Sequence, residues 1–299
     1  MRKIYSFFIV ICLFVAGCEK DGREKDDLNV KDGFWLKMGD NSIVYTSDID
    51  FYDMSTHIIY LKKKIPYLKR GTEQGVMSMY VDDVEIYKCG FHPQYLSYLP
   101  KGTYISSPLP KEEDIIRIRF LQMWDSNHEP TVTDPRSDER IIAALKKNNQ
   151  YHEGLHCELQ SVHISNGEAI LDIALSNPDT FDYYYLDPDK MGIGLFHYFT
   201  NGLYIYTKSF DKSYTHRETV THPEPWDLWK KEWLTLIKSG ERKNISIAYP
   251  HFDDVPAGNY MISFEFPGLN YGITPKDLIL KDGRIWMGSI YTEKEIVVE

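Results

Sequence analysis

Apolar and polar residues alternate with a period of two along much of this chain. The alternation is clearest in four segments, which run from Ile116 to Phe120, from Ala169 to Leu175, from Ile245 to Tyr249 and from Tyr260 to Phe266. Because successive side chains of a strand point to opposite faces, each segment predicts a strand with one buried face. Dipeptides that suit hairpin turns lie between the segments, namely Asp82-Asp83, Asn166-Gly167, Asn201-Gly202 and Asp282-Gly283. Many short strands joined by tight turns predict a mainly β fold with antiparallel sheets.

Two segments carry helix signals instead. Ser137 can cap a helix that has acidic residues in its first turn and ends at Asn148-Asn149. The second predicted helix runs from Pro225 to Lys238, with proline at a permitted first position. One stripe of this helix would hold Trp226, Trp229 and Trp233. We therefore expect two short helices in an otherwise β protein.

The N-terminal residues predict the subcellular location of the protein. Arg2 and Lys3 precede an almost wholly apolar run from Ile4 to Gly17. Fourteen helical residues reach about 21 Å, less than the ~30 Å of a bilayer core, so residues 1–17 predict a signal peptide rather than a spanning helix.

The run ends in Phe14-Val15-Ala16-Gly17-Cys18, which resembles the lipobox of bacterial lipoproteins. The resemblance implies cleavage before Cys18, acyl chains on Cys18 and anchoring to the outer membrane of the cell envelope, with an uncleaved anchor or an ordinary secretory signal as the alternatives. Residues 18–32 are charged and predict a flexible tether, either in the periplasm or at the cell surface.

The rest of the chain predicts two β domains, residues 33–150 and 151–299. Leu99 to Ile105 and Val255 to Met261 share the pattern apolar-Pro-x-Gly-x-Tyr-apolar, which describes a turn leading into a strand. This pattern, and the strand end at Leu175 to Pro178, resemble immunoglobulin-like domains. The resemblance implies a fold of two antiparallel, immunoglobulin-like β-sandwich domains with two short helices.

Composition excludes several classes of partner. The chain has 299 residues and a formal net charge of −10, with no long basic run, which argues against a nucleic-acid partner. It contains no glycine-rich phosphate loop, and we predict no cofactor. Cys12 would leave with the signal peptide, so Cys89 and Cys157 would remain in an oxidising compartment. They can form a disulfide or stay as two free buried thiols, and the sequence leaves both open.

The sharpest chemical motif is His152-Glu153-Gly154-Leu155-His156. It matches H-E-x-x-H, in which two histidines one helical turn apart bind Zn²⁺ and the glutamate acts as general base. Gly154 disfavours a helix, and the alternation of Leu155, Cys157 and Leu159 predicts a strand. On a strand His152 and His156 would lie ~13 Å apart, too far to share one metal ion. We therefore predict no metal site and keep a zinc-dependent hydrolase as the alternative function.

Acidic sets predict no further chemistry. A carboxylate pair for glycoside hydrolysis could be drawn from Asp125, Glu129 and Asp134, but the spacing does not establish it. The pairs Asp187 with Asp189 and Asp253 with Asp254 lack the spacing of a calcium loop. We interpret all of them as turn and loop residues.

Aromatic residues give the remaining functional signal, with 22 Tyr, 14 Phe and 6 Trp. If Tyr183-Tyr184-Tyr185 and His197-Tyr198-Phe199 are strands, consecutive rings point to opposite sheet faces. Exposed tyrosine and tryptophan can stack on sugars or anchor a protein interface. Our hypothesis is a non-enzymatic, lipid-anchored envelope protein that binds a glycan or an envelope protein.

Overall fold

The structure is a computed structural model that describes residues 32–64, 75–93, 100–107, 114–123, 130–200, 202–217, 220–226, 228–269 and 278–299. The described chain is mainly β, with three short helices. The strands of the first half are β1 Phe34–Lys37, β2 Ile43–Val44, β3 Ile49–Asp53, β4 Ile58–Leu61, β5 Val76–Val81, β6 Val84–Pro93, β7 Gly102–Ser107, β8 Ile115–Arg117, β9 Arg119–Leu121 and β10 Tyr151–His152. Those of the second half are β11 His156–Ser165, β12 Glu168–Ser176, β13 Tyr183–Leu186, β14 Leu203–Thr207, β15 Ser213–Thr215, β16 Leu234–Ile237, β17 Arg242–Pro250, β18 Gly258–Pro267, β19 Ile279–Leu280, β20 Gly283–Ile285 and β21 Ser289–Val298. The helices are α1 Glu139–Lys147, α2 Pro188–Met191 and α3 Ile193–Phe199.

The strands form five sheets of three to six strands. In spatial order these are sheet 1 (β2-β1-β5-β6-β7-β9), sheet 2 (β10-β3-β4-β8), sheet 3 (β11-β12-β17), sheet 4 (β16-β13-β20-β19) and sheet 5 (β15-β14-β18-β21). The five sheets are arranged as the blades of a five-bladed β-propeller ring. The prediction of two immunoglobulin-like β-sandwich domains is therefore wrong, although the mainly β class is confirmed.

The alternating segments of the second half are confirmed as strands. Ala169, Leu171, Ile173 and Leu175 are buried on one face of β12, and Tyr260, Ile262, Phe264 and Phe266 on one face of β18. The turn between β11 and β12 is also confirmed, because Asn166 and Gly167 both have positive φ. The segment from Ile116 to Phe120 instead divides between β8 and β9.

One predicted helix is confirmed and one is wrong. The α1 helix is capped by Asp138 rather than by the predicted Ser137, since the Asp138 carboxylate accepts a hydrogen bond from the Arg140 backbone N–H. The predicted helix from Pro225 to Lys238 is wrong, because the described residues of this segment hold only a single 3-10 turn at Lys231–Trp233, followed by β16, which pairs with β13. This pairing places Trp233 in the core and leaves Trp226 exposed, so the predicted tryptophan stripe does not exist. Residues 197–199, expected in a strand, lie in α3.

Three hydrophobic cores show why the sandwich prediction fails. Core 1 lies between sheets 1 and 2 under α1, and core 2 lies between sheets 2 and 4. Core 3 joins sheets 3, 4 and 5 with α3. Sheet 2 is buried on both faces, since Tyr52 packs in core 1 while its neighbour Phe51 packs in core 2. A sandwich of two sheets has an outer face in water, but the inner sheets here have none.

The predicted boundary near residue 150 stays a prediction. Contacts do cross it, since β10 pairs with β3 in parallel and core 2 contains residues from both halves. Among the residues that the structure describes, no helix has both the length and the apolar character needed to cross a bilayer. The predicted signal peptide and Cys18 lie outside the described residues.

Candidate functional site

The H-E-x-x-H motif is not helical. His152 ends β10 and His156 begins β11, and the residues between them belong to no regular element. The His152 imidazole is directed to the Asp179 carboxylate, with Nδ1 and Oδ1 2.7 Å apart. The His156 Nε2 lies 3.4 Å from Glu153 Oε1 on the exposed surface. The helix that zinc binding by this motif requires is therefore not formed.

His152 belongs to a partly buried cluster that we call the junction, defined by His152, Asp179, Phe181, Asp53 and Arg284, with the two aspartates buried and the other three half-buried. The His152 ring stacks on Phe181 at 3.8 Å between ring centroids. The Arg284 guanidinium lies 4.9 Å from the centroid of Phe181. These residues come from sheet 2, sheet 4 and the segment between β12 and β13, so the junction connects the two halves of the chain.

Asp179 organises the junction through hydrogen bonds. Its carboxylate accepts the Gly154 backbone N–H at 2.9 Å and the Tyr183 hydroxyl at 3.0 Å, besides the His152 imidazole. Burial opposes ionisation, but the hydrogen bond from His152 and the backbone donors outweigh it and hold the pKa of Asp179 at about 2. Asp179 is therefore a charged and fully partnered carboxylate.

Asp53 has the opposite electrostatics. It is 1% exposed, and burial raises the pKa of its carboxyl to about 6, although Ser55 and the Thr56 backbone donate hydrogen bonds to it. A pair of carboxyls with pKa values driven apart can serve acid and base roles in an active site. Here Gly154 fills the space between Asp53 and Ser55, because a Cβ on it would lie 2.3 Å from Asp53 Oδ1 and 2.2 Å from Ser55 Oγ. No space for a ligand remains beside Gly154, and we therefore interpret the junction as structural.

The solvent-facing side of sheet 5 has a different character. We call it the aromatic face and define it by Tyr204, Tyr206, Phe210, Tyr291 and Glu293. Tyr204 is 37% exposed, Phe210 55% and Tyr291 60%. On β14 and β18 the alternate residues, such as Ile205, are buried in core 3. The exposed rings therefore result from the same alternation that builds the core.

Strand register brings these residues together. Tyr204 pairs with Ser263 of β18, and Ser263 pairs with Glu293 of β21, so the three form one row across the sheet. Tyr206 lies in the next row, and Tyr291 in the row on the other side. The small Ser263 side chain thus forms the floor between aromatic residues on both neighbouring strands.

Contacts fix Tyr206 within the aromatic face. Its ring stacks on Phe210 with centroids 4.8 Å apart, and its hydroxyl donates a hydrogen bond to Glu293. Partial burial and this bond to a carboxylate raise the pKa of Tyr206, so the phenol stays protonated. Tyr206 and Glu293 thereby orient one another on this face.

Sequence reasoning did not single out the aromatic face. The signal was present in Leu203-Tyr204-Ile205-Tyr206, where aromatic and aliphatic residues alternate, and in Tyr291 and Glu293 of the last strand. These segments lie 80 or more residues apart, and only the pairing of β14 and β21 with β18 brings them together.

The other candidate residues have structural roles. Cys89 and Cys157 are both free thiols in different cores, and burial raises the pKa of each to about 12. Asp134 forms a bidentate ion pair with Arg136. Asp187 caps α2 and Asp253 pairs with Arg217. Asp125 and Glu129 lie outside the described residues.

Comparison with known proteins identifies no related protein. Searches against models of protein families, curated proteins and solved structures found no match for this chain. Within the residues that the structure describes, no three His, Cys, Asp or Glu side chains are grouped to hold a metal ion. Function must therefore be argued from the surface chemistry of this chain.

Proposed function

We propose that this protein is a lipid-anchored envelope protein that binds a neutral glycan on its aromatic face. The observation that carries the proposal is the grouping of exposed tyrosine and phenylalanine rings around a carboxylate on one side of sheet 5. The signal for anchoring is the lipobox-like sequence that ends at Cys18.

The chemistry of the aromatic face suits a sugar. A tyrosine ring offers an apolar surface to the C–H groups of a sugar ring, and its hydroxyl end can hydrogen-bond to sugar hydroxyls. Tyr204 and Tyr291 lie on strands separated by β18, so they are about 10 Å apart across the sheet, from two interstrand spacings. The Glu293 carboxylate supplies acceptors for sugar hydroxyl groups, and the Ser263 hydroxyl supplies a donor.

Charge restricts the glycan class. Glu265, Glu293 and Glu295 all face outward on β18 and β21, in register with the aromatic rows. Lys208 is paired with Glu295 at 2.8 Å. An acidic glycan would meet net repulsion here, which argues for a neutral one.

Glycan binding can be tested with the chain that lacks residues 1–18. On an array of neutral and acidic glycans, we expect binding of neutral glycans, lost at least tenfold in Tyr204→Ala and Tyr291→Ala. Tyr291→Phe keeps the ring and should retain most binding. Ile279→Ala changes a side chain that is 63% exposed on sheet 4 and serves as the remote control. An array without any bound glycan, or equal loss in the control, would contradict the proposal.

Anchoring is tested separately in a bacterial host. We expect radiolabelled palmitate on the wild-type protein, with the protein in the membrane fraction. Cys18→Ser should carry no label and remain uncleaved or soluble. Equal labelling of both proteins would remove the lipoprotein proposal and leave the glycan test unaffected.

A further inference from the structure

A second polar site lies on the outward face of sheet 3, which is a different sheet from the one that carries the aromatic face. It is a groove of about 350 Å³, open to solvent on one side, and we call it the polar groove. Its polar lining consists of Gln160, Ser161, Asp172, Asn244 and Ser246. The volume is at the lower end of the range of small-ligand pockets, which corresponds to a single small molecule.

Strand register creates the groove. Ser161, Asp172 and Ser246 occupy one row across β11, β12 and β17, with the aspartate on the central strand. The register shifts between Leu159 and Ser161, so a β-bulge adds Gln160 to the rim beside this row. In the adjacent row Ala174 pairs with Asn244 of β17, which also lines the groove.

Asp172 is the centre of the polar chemistry. Ser161 Oγ donates to its Oδ2 at 2.7 Å, and hydroxyl hydrogen bonds from Ser161 and Ser246 lower its pKa. The charge of His163, on the same face of β11, also lowers the pKa of Asp172, but in the described part of the chain no cationic group lies within ion-pair distance of this carboxylate. On this face the Arg242 guanidinium is already paired with Glu158, at 3.1 Å. An ionised carboxylate therefore lies open at the floor of the groove with acceptor capacity left.

The donor and acceptor pattern selects the class of ligand. The serine hydroxyls are donors to Asp172, so their lone pairs remain as acceptors, while the amides of Asn244 and Gln160 both donate and accept. A sugar hydroxyl also donates and accepts, whereas an ammonium group only donates and an anion only accepts. No aromatic ring lines the groove, so a ligand is held by its edge rather than by stacking.

We propose that the polar groove binds one monosaccharide unit edge-on, with Asp172 accepting hydrogen bonds from two neighbouring hydroxyl groups of the sugar. The site is independent of the aromatic face, since the two surfaces lie on different sheets. The occupant would be a neutral, hydroxyl-rich ring.

The test is a backbone-amide NMR titration of the chain that lacks residues 1–18. The probes are glucose, galactose, mannose and N-acetylglucosamine, each added separately at millimolar concentration. We expect at least one sugar to shift amides of β12 and β17. Asp172→Asn should weaken the sugar affinity measured from that shift about tenfold, because one charged acceptor is lost. Ser246→Ala should weaken it less, and Asp189→Asn, an exposed acid on α2, should leave it unchanged.

Two further titrations separate the alternatives. Calcium chloride or ethylammonium chloride that shifts the same amides, while no sugar does, would overturn the proposal in favour of a cation site. Sugar-induced shifts confined to β14, β18 and β21 would also overturn it and would support the aromatic face alone. Loss of sugar binding in Asp172→Asn but equally in Asp189→Asn would assign the effect to general charge and contradict the proposal.

Discussion

The junction and the aromatic face are built from the same residue types and do opposite things. Both combine aromatic rings, a tyrosine hydroxyl and a carboxylate. In the junction, Asp179 accepts hydrogen bonds from a histidine, a tyrosine and backbone N–H groups, and no space remains beside Gly154. On the aromatic face Glu293 has Tyr206 as hydrogen-bond partner and the surrounding rings face water. Unoccupied hydrogen-bonding capacity, rather than residue type, therefore distinguishes the aromatic face, a candidate binding surface, from the junction, a packed structural cluster.

The largest effect should come from removing the central carboxylate of the junction. Asp179→Ala leaves His152, Tyr183 and the Gly154 backbone without their acceptor, and we expect a loss of about 3–5 kcal/mol in the free energy of unfolding. Asp189→Ala, at an exposed position, should change it by less than about 0.5 kcal/mol. Urea denaturation of both variants measures this. Equal stabilities would mean that the junction is not a support.

A smaller loss should follow from adding one methyl group. Gly154→Ala places a Cβ against Asp53 and Ser55, at φ +75°. We expect it to cost about 3 kcal/mol, from overpacking added to backbone strain. Gly240 has φ +76° and no atom within 4 Å of the built Cβ, so Gly240→Ala isolates the strain alone, about 1 kcal/mol. Equal losses in the two variants would show that the clash at Gly154 is relieved without cost.

The pH dependence of stability should reveal Asp53. Its pKa is raised to about 6 in the folded state from an ordinary value of 3.8, so the folded state binds the proton more tightly. Its contribution is complete below pH 3.8 and is lost as the pH rises through 6, with a slope of at most about 1.4 kcal/mol per pH unit. The measurement is the difference between the wild-type and Asp53→Asn stability profiles, because His216, whose pKa burial lowers to about 4, acts in the opposite sense. A flat difference between pH 4 and 6 would contradict the assignment.

The smallest effect on stability is expected at the aromatic face. Tyr206→Phe removes the hydrogen bond to Glu293 and keeps the ring on Phe210, so we expect a loss of about 0.5–1.5 kcal/mol. Tyr291→Ala should change stability by less than about 0.5 kcal/mol while weakening glycan binding at least tenfold. Thermal denaturation with the array assay checks both. A large loss of stability in Tyr291→Ala would move this residue to the class of structural rings.

Local sequence patterns predicted local structure well. Period-two alternation located β12, β17 and β18, and Asn166-Gly167 located the turn between β11 and β12. Polar capping signals located α1. Each of these features depends on interactions between residues close in sequence, or on one buried face.

What the sequence could not supply was the packing of one sheet on another. Ile58–Leu61 is buried on both faces, and an apolar run of this kind does not state which sheets cover it. Pro225 and the tryptophan spacing favoured a helix, but pairing of Leu234–Ile237 with β13 prevailed. The junction escaped prediction for the same reason, since Asp53, His152 and Arg284 meet only through core 2 and its neighbouring sheets.

The hydrogen bond from Trp286 Nε1 to Ser55 Oγ links positions 231 residues apart, at 3.2 Å. Contacts of such high sequence separation form late and slowly, because a long loop must close before they are made. During synthesis, the strands of sheet 2 must wait for β20 before the face they bury in core 2 is fully covered. We therefore expect chains truncated before residue 283 to expose this face and to aggregate, so that residues 283–299 determine whether the strands of the first fifth stay in solution.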